Sequence, residues 1–183
     1  MHRLTTCCFT GHRPKDLFAF NSPAEVYARI LKAVEDAVED GYTDFLCGGC
    51  IGGDFLFADA VISVRSERPD REIRLNMCLP CRDQAEKWDR EDRDRYSGYL
   101  QVADSIVCLS DRYTEGCMQK RNRYMVDRSS LLIAAYNGSS GGTEYTYKYA
   151  RRSGLRTVNL LEIPTEESDQ LHHTRSRTFL EIR

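Results

Sequence analysis

The chain has 183 residues, a formal net charge of −2 from 26 Lys+Arg against 28 Asp+Glu, and 41% hydrophobic residues. One domain is the expectation at this length, large enough to bury a core without disulfide staples, and the composition excludes wholesale disorder. A balanced charge is a poor footprint for a protein that lives on nucleic acid, and it disfavours nucleic acid as a partner.

The chain opens with Met1-His2-Arg3-Leu4 and runs into an uncharged strand over Thr5–Thr10. No secretory segment is readable there, and no stretch approaches the roughly 20 apolar residues of a membrane span. The expectation is a cytoplasmic protein with reduced thiols and no membrane partner. Ser22-Pro23-Ala24-Glu25 predicts a helix start: Ser22 caps, Pro23 fits the first turn and Glu25 completes a capping box. Val26, Ile30, Val34 and Val38 form its apolar stripe, and Gly41 stops it. Phe45–Cys47 is a second strand, followed by a glycine turn and a helix from Asp54 that ends before Pro69. Ile73–Leu79 is a third strand, Asp83–Val102 a polar helix and Ser105–Leu109 a fourth strand. A basic helix follows around Met118–Val126, then a fifth strand at Leu131–Tyr136. A Gly/Ser loop leads to a helix over Glu144–Arg152 and a sixth strand at Thr157–Ile163.

Strands alternating with helices predict a mostly parallel sheet of about six strands with helices on both faces, a Rossmann-like three-layer α/β sandwich. Residues 1–163 form the single domain. Residues 164–183 are a polar tail with at most one edge strand, and its apolar Phe179-Leu180-Glu181-Ile182 is the place for contact with a second copy. Ligands of such sheets bind beyond the carboxyl ends of the strands, where the strand order reverses.

Three loops at those ends carry the chemistry. Gly11-His12-Arg13-Pro14 follows the first strand and places two donors at the sheet edge. Gly48-Gly49-Cys50-Ile51-Gly52-Gly53-Asp54 follows the second. It is not a Walker loop, because no Gly-Lys-Ser/Thr follows. Asp54 puts negative charge at the helix start and suits a ribose hydroxyl or base edge better than a phosphate. Gly138-Ser139-Ser140-Gly141-Gly142-Thr143 follows the fifth strand, with glycines, hydroxyls and a helix start together. It is the stronger phosphate cradle.

The order of these motifs resembles the YpsA-type family of the SLOG superfamily, a Rossmann-like group that also holds the DNA-processing protein A family and the LOG phosphoribohydrolases. The resemblance rests on Thr10-Gly11-His12-Arg13, on Gly48-Gly49 through Gly52 to Asp54, and on Gln84–Trp88 running to Ala103-Asp104. It continues through Arg121–Asp127 to Gly141-Gly142-Thr143 with Tyr149-Ala150. It implies a pocket for a nucleotide-like small molecule. In that pocket Gly11, Gly48, Gly49, Gly52, Gly141 and Gly142 shape the walls. His12, Arg13 and Thr143 hold phosphate, and Asp54 and Asn122 orient sugar or base. The LOG signature G-G-x-G-T-x-x-E carries a catalytic glutamate. Here Thr146 stands at that position and Glu144 is displaced, so N-glycosidic hydrolysis is an alternative, with Asp54 or Glu144 as candidate acid. Single-stranded nucleic-acid binding is the second alternative. Its electrostatic source would be the cluster Arg112, Lys120, Arg121, Arg123 and Arg128, which otherwise reads as a solvated helix face.

The eight cysteines include Cys47-x-x-Cys50 and Cys78-x-x-Cys81. Their separation is longer than that of common zinc ribbons. Cys7, Cys8, Cys47, Cys78 and Cys108 read as sheet core, with Cys50, Cys81 and Cys117 in loops. No metal site and no cofactor are expected.

Overall fold

The structure is a computed structural model that describes residues 2–19 and 21–161. The polar tail expected over residues 164–183 and the end of the sixth strand therefore lie outside the described residues. Six strands, β1 (Thr6–Gly11), β2 (Asp44–Cys47), β3 (Arg74–Leu79), β4 (Ser105–Cys108), β5 (Leu131–Ala135) and β6 (Arg156–Asn159), form one sheet in the order β4-β3-β2-β1-β5-β6. Every pairing is parallel. The connecting helices are α1 (Pro14–Leu17), α2 (Pro23–Glu39), α3 (Gly53–Glu67), α4 (Arg90–Val102), α5 (Cys117–Asp127) and α6 (Gly142–Arg152).

Side chains alternate across each strand and so build two cores. Cys7 and Phe9 of β1, Phe45 and Cys47 of β2, and Leu131 and Ile133 of β5 face α2, α3 and α4. Cys8, Leu46 and Leu132 face α5 and α6. Three layers result. The central strands are buried on both faces, which is why β1 and β5 hold no charged residue. On the larger side the Phe9 and Phe57 rings stack at 4.7 Å.

Local rules explain the helix limits. Ser22 accepts from the Glu25 N–H at 3.2 Å, while a Glu25 carboxylate oxygen accepts from the Ser22 N–H at 2.8 Å. Val26, Ile30, Val34, Ala37 and Val38 are the buried face of α2. The helix expected from Asp83 starts later, at Arg90. Asp89 accepts the Asp92 N–H at 2.8 Å and caps a new start, leaving 82–88 as turns. Trp88 in that segment packs edge-on against Phe55 and Tyr96.

The cysteines are all free. Cys7, Cys8, Cys47 and Cys78 are buried as expected, and Cys108, on edge strand β4, is half-buried. Cys81 lies in a loop, as expected, but is buried there, and Cys117 is buried at the start of α5 rather than in a loop. Cys47 and Cys78 belong to opposite faces of the sheet, so the two C-x-x-C pairs do not converge. Among the described residues no three His, Cys, Asp or Glu side chains stand within reach of one metal ion. No helix of the described residues is long and apolar enough to cross a membrane.

Candidate functional site

The strand order reverses between β1 and β5: the chain moves outward from β1 to β4, then returns to lay β5 on the other side of β1. The loops after these two strands part there and leave a cavity of about 220 Å³. His12 joins three loops beside it. Its N–H donates to the Ala135 carbonyl of β5 at 3.4 Å, and its carbonyl accepts from Gly53 at the start of α3 at 3.2 Å. Its Nε2 accepts from the Asn137 N–H at 3.3 Å. That bond assigns the ring proton to Nδ1. Burial lowers the His12 pKa, outweighing the upward pull of the nearby Asp16 carboxylate.

The cavity wall takes Gly11, His12 and Arg13 from the first loop, Cys50 and Asp54 from the second, and Ser140, Gly141, Gly142 and Thr143 from the third. Asp16 lies on the wall as well, and α5 adds Met118, Arg121, Asn122 and Met125. Of the residues expected here, Gly48, Gly49, Gly52 and Glu144 are not on the wall. Gly48 and Gly49 sit behind it. Gln84 donates to both of their carbonyls, at 3.3 and 2.8 Å. A Cβ at Gly48 would overlap the Arg121 guanidinium, so this glycine makes room for an arginine rather than a ligand. Glu144 pairs at 2.6 Å with Lys148, which draws its carboxyl below the usual carboxylate range. Thr146, at the position of the LOG glutamate, is buried and donates to the Gly142 carbonyl at 2.7 Å.

Arg121 is the residue that sequence reasoning misplaced. It is 4% exposed, not part of a solvated face. Its Nε donates to Asn122 Oδ1 at 2.8 Å. The remaining contacts are longer: 3.4 Å to the Cys78 carbonyl, 3.4 Å to Cys50 Sγ and 3.7 Å to Asp54 Oδ2. Burial alone would weaken this charge, but Cys50 and Asp54 beside it hold its pKa above the usual guanidinium value. Asp54 is buried and accepts the Cys50 N–H at 2.9 Å. Burial raises its carboxyl above the usual carboxylate range, outweighing Arg121, the Cys50 N–H and Arg13. Asn122 spends its amide inside the protein, accepting from Arg121 and donating to Thr146 Oγ1 at 2.7 Å. The available signal was the spacing Met118, Arg121, Asn122, Met125, which is one helix face.

The α6 start faces the cavity with Gly141 as N-cap, at φ +145°, and no side-chain cap. Its first N–H groups and the helix dipole favour an anion. Exposed Arg13 stands opposite as a second positive group.

A parallel sheet with helices on both faces and a cavity at the reversal of strand order defines a Rossmann-like α/β protein. The family model described as the YspA SLOG family matches residues 7–163, and the chain belongs to that family. It is 29% identical over 179 residues to a UPF0398 protein of Bacillus pumilus (strain SAFR-032), covering 88% of this chain and 95% of that one. It is 28% identical over 141 residues to the SPbeta prophage-derived protein YoqJ of Bacillus subtilis (strain 168), covering 69% and 81%. Among solved structures the fold is shared with DNA processing protein A of Helicobacter pylori, at TM-score 0.62 and 16% identity, over 97% of this chain and 74% of that one. It is shared also with the Streptococcus pneumoniae protein, at TM-score 0.60 and 14% identity, over 95% of this chain. This chain spans 56% of the pneumococcal chain's length.

The Helicobacter structure is described for its single-stranded DNA binding mode. That overturns the expectation, drawn from charge balance, that nucleic acid is disfavoured, because a protein of this same fold binds single-stranded DNA. Net charge sums over the whole surface, whereas a polyanion responds to charge where it touches.

Proposed function

We propose that this protein binds a nucleotide-derived small molecule in the cavity between the β1 and β5 loops. The phosphate lies against the α6 start, held by Arg13, Ser140, Thr143 and the Gly142 N–H. A ribose hydroxyl reaches Asp54, and the Arg121 Nη groups supply the buried positive charge. The cavity is smaller than the roughly 300–1,000 Å³ of sites that enclose drug-sized ligands. It takes a phosphate and its sugar, with the base toward the mouth. One observation carries the reading: a helix start whose N-cap glycine supplies no side-chain cap, an exposed arginine and a buried guanidinium with only one short hydrogen bond converge on one cavity.

Calorimetric titration with nucleoside mono- and diphosphates tests it. The expected result is saturable binding that weakens about tenfold or more in Arg13→Ala, since a charge-assisted bond contributes roughly 1.5–3 kcal/mol. Absence of heat with every nucleotide sinks the reading.

Asp54 favours a second reading. A buried carboxyl that holds its proton more firmly than usual is suited to protonate a departing base, as an N-glycosidic hydrolase requires. Glu144, paired with Lys148 off the cavity wall, is not suited to that role. Release of free base from a nucleoside monophosphate, abolished in Asp54→Asn, would establish turnover; intact ligand after prolonged incubation leaves binding alone.

A further inference from the structure

Helix α5 has a second face. Met118, Arg121, Asn122 and Met125 wall the cavity. Lys120, Arg123, Tyr124 and Asp127 repeat the same i, i+3, i+4, i+7 spacing two residues later, about 200° round the helix. They line a separate groove of about 490 Å³ together with Leu109, Gly116, Gln119 and Arg128.

The charge in this groove is unspent. Lys120, Arg123 and Arg128 are exposed, and among the described residues none of them belongs to an ion pair. Many other arginines do, including Arg65, Arg68, Arg74 and Arg95. The partners of the three are neutral: the Leu109 carbonyl for Lys120 at 3.0 Å, the Tyr145 hydroxyl for Arg123 at 2.5 Å and the Tyr124 carbonyl for Arg128 at 3.5 Å. Asp127, the one carboxylate on the groove wall, accepts from the Tyr149 hydroxyl at 2.9 Å.

Two of these three cations lie over aromatic rings. The Arg128 guanidinium stands 3.7 Å from the Tyr124 ring centroid, and that of Arg123 stands 5.6 Å from Tyr145. Tyr145 in turn lies parallel to Tyr149, within 2°. Unpaired cations call for a polyanion. Flat guanidinium and tyrosine surfaces add a place for planar groups, which free phosphate and lipid headgroups lack and which a duplex keeps stacked inside. Leu109 is the only aliphatic side chain on the groove wall, too little to insert into a bilayer.

We propose that the outer face of α5 docks single-stranded nucleic acid, with phosphates along Lys120, Arg123 and Arg128 and a base stacked on the Arg128–Tyr124 pair. This surface is on the opposite side of α5 from the cavity and does not depend on the nucleotide reading.

Fluorescence anisotropy with a labelled oligothymidylate of about 20 nucleotides tests it on the full chain. Three phosphate contacts predict a slope of log K against log salt of about −2, at roughly −0.7 per contact on a single strand. The R123E/R128E pair, with its melting curve checked against wild type, is expected to lose at least about tenfold in affinity and to flatten the slope. Arg128→Lys keeps the charge but loses the flat face. It is expected to weaken binding about fivefold or more, the low end for one stacked base, with the slope unchanged. The proposal is overturned by absence of binding, by equal affinity for a duplex of the same length, by an unaffected R123E/R128E pair, or by equal affinity of Arg128→Lys and wild type. It is overturned too if Arg13→Ala alone abolishes binding, which would put the strand in the cavity. A chain that takes up oligonucleotide but no mononucleotide keeps this inference and loses the cavity reading; the reverse result keeps the cavity reading and loses this one.

Discussion

Asp54 and Arg121 face each other at 3.7 Å beneath the cavity, with side chains 7% and 5% exposed. The contact is too long for a short ionic hydrogen bond. Each charge leans on other partners, the Cys50 N–H for Asp54 and Asn122 for Arg121. Such a pair adds little net stability, but breaking it leaves an uncompensated buried charge.

Arg121→Met should therefore destabilise the protein strongly, by about 3–5 kcal/mol, the range for removing one partner of a buried pair. Asp54→Asn in the same background should recover part of that loss. Urea denaturation of the two single variants and the double variant measures the coupling. Additive losses would show that the two charges do not sense each other.

Gly48 is the site of a steric prediction. Its missing Cβ leaves the space that the Arg121 guanidinium occupies. Gly48→Ala should cost about 1–3 kcal/mol, the range for forcing extra volume into a packed site. The cost should shrink in the Arg121→Met background, where a flexible chain replaces the planar group. An equal cost in both backgrounds would locate the strain in the backbone instead.

His12 imposes a pH dependence. Its folded pKa lies below the ordinary value of about 6.5 because the ring is buried. Below that pH the unfolded chain takes up a proton that the fold resists. Stability is complete above about pH 6.5 and is lost as pH falls from there toward the folded value. The difference between wild type and His12→Asn, followed by thermal melting from pH 7.5 to 5, should narrow on acidification. A constant difference across that range would show that His12 titrates alike in both states.

The thiols separate by burial. Burial pushes Cys8, Cys78 and Cys81 up to about 12 and raises Cys7 and Cys47 as well. Thiolates are the reactive form, so these five should resist alkylation in the native protein. Cys50 and Cys108, the two that are only half-buried, should react first. Peptide mapping after a short iodoacetamide pulse reads this directly. A nucleotide in the cavity should slow Cys50 and leave Cys108 unchanged.

The sequence by itself determined the alternation of strands and helices, the parallel sheet and the loops that meet at its edge. These follow from near-neighbour chemistry: the uncharged run at Thr5–Thr10, the capping box at Ser22 and the glycines that punctuate the strand ends. Of the residues it proposed for a site, Gly11, His12, Arg13, Asp54, Asn122, Gly141, Gly142 and Thr143 lie on the cavity wall, while Gly48, Gly49 and Gly52 do not. Only the tertiary structure decided the direction of each side chain. A one-dimensional run of Lys120, Arg121, Asn122 and Arg123 does not say which cation turns inward. That depends on which face of α5 packs on the sheet, and on Gly48, more than seventy positions earlier, leaving room for a guanidinium. The cysteines follow the same logic. Their spacing suggested pairs, but the alternation of the strands sends Cys47 and Cys78 to opposite cores, since successive side chains along a strand point to opposite faces of the sheet.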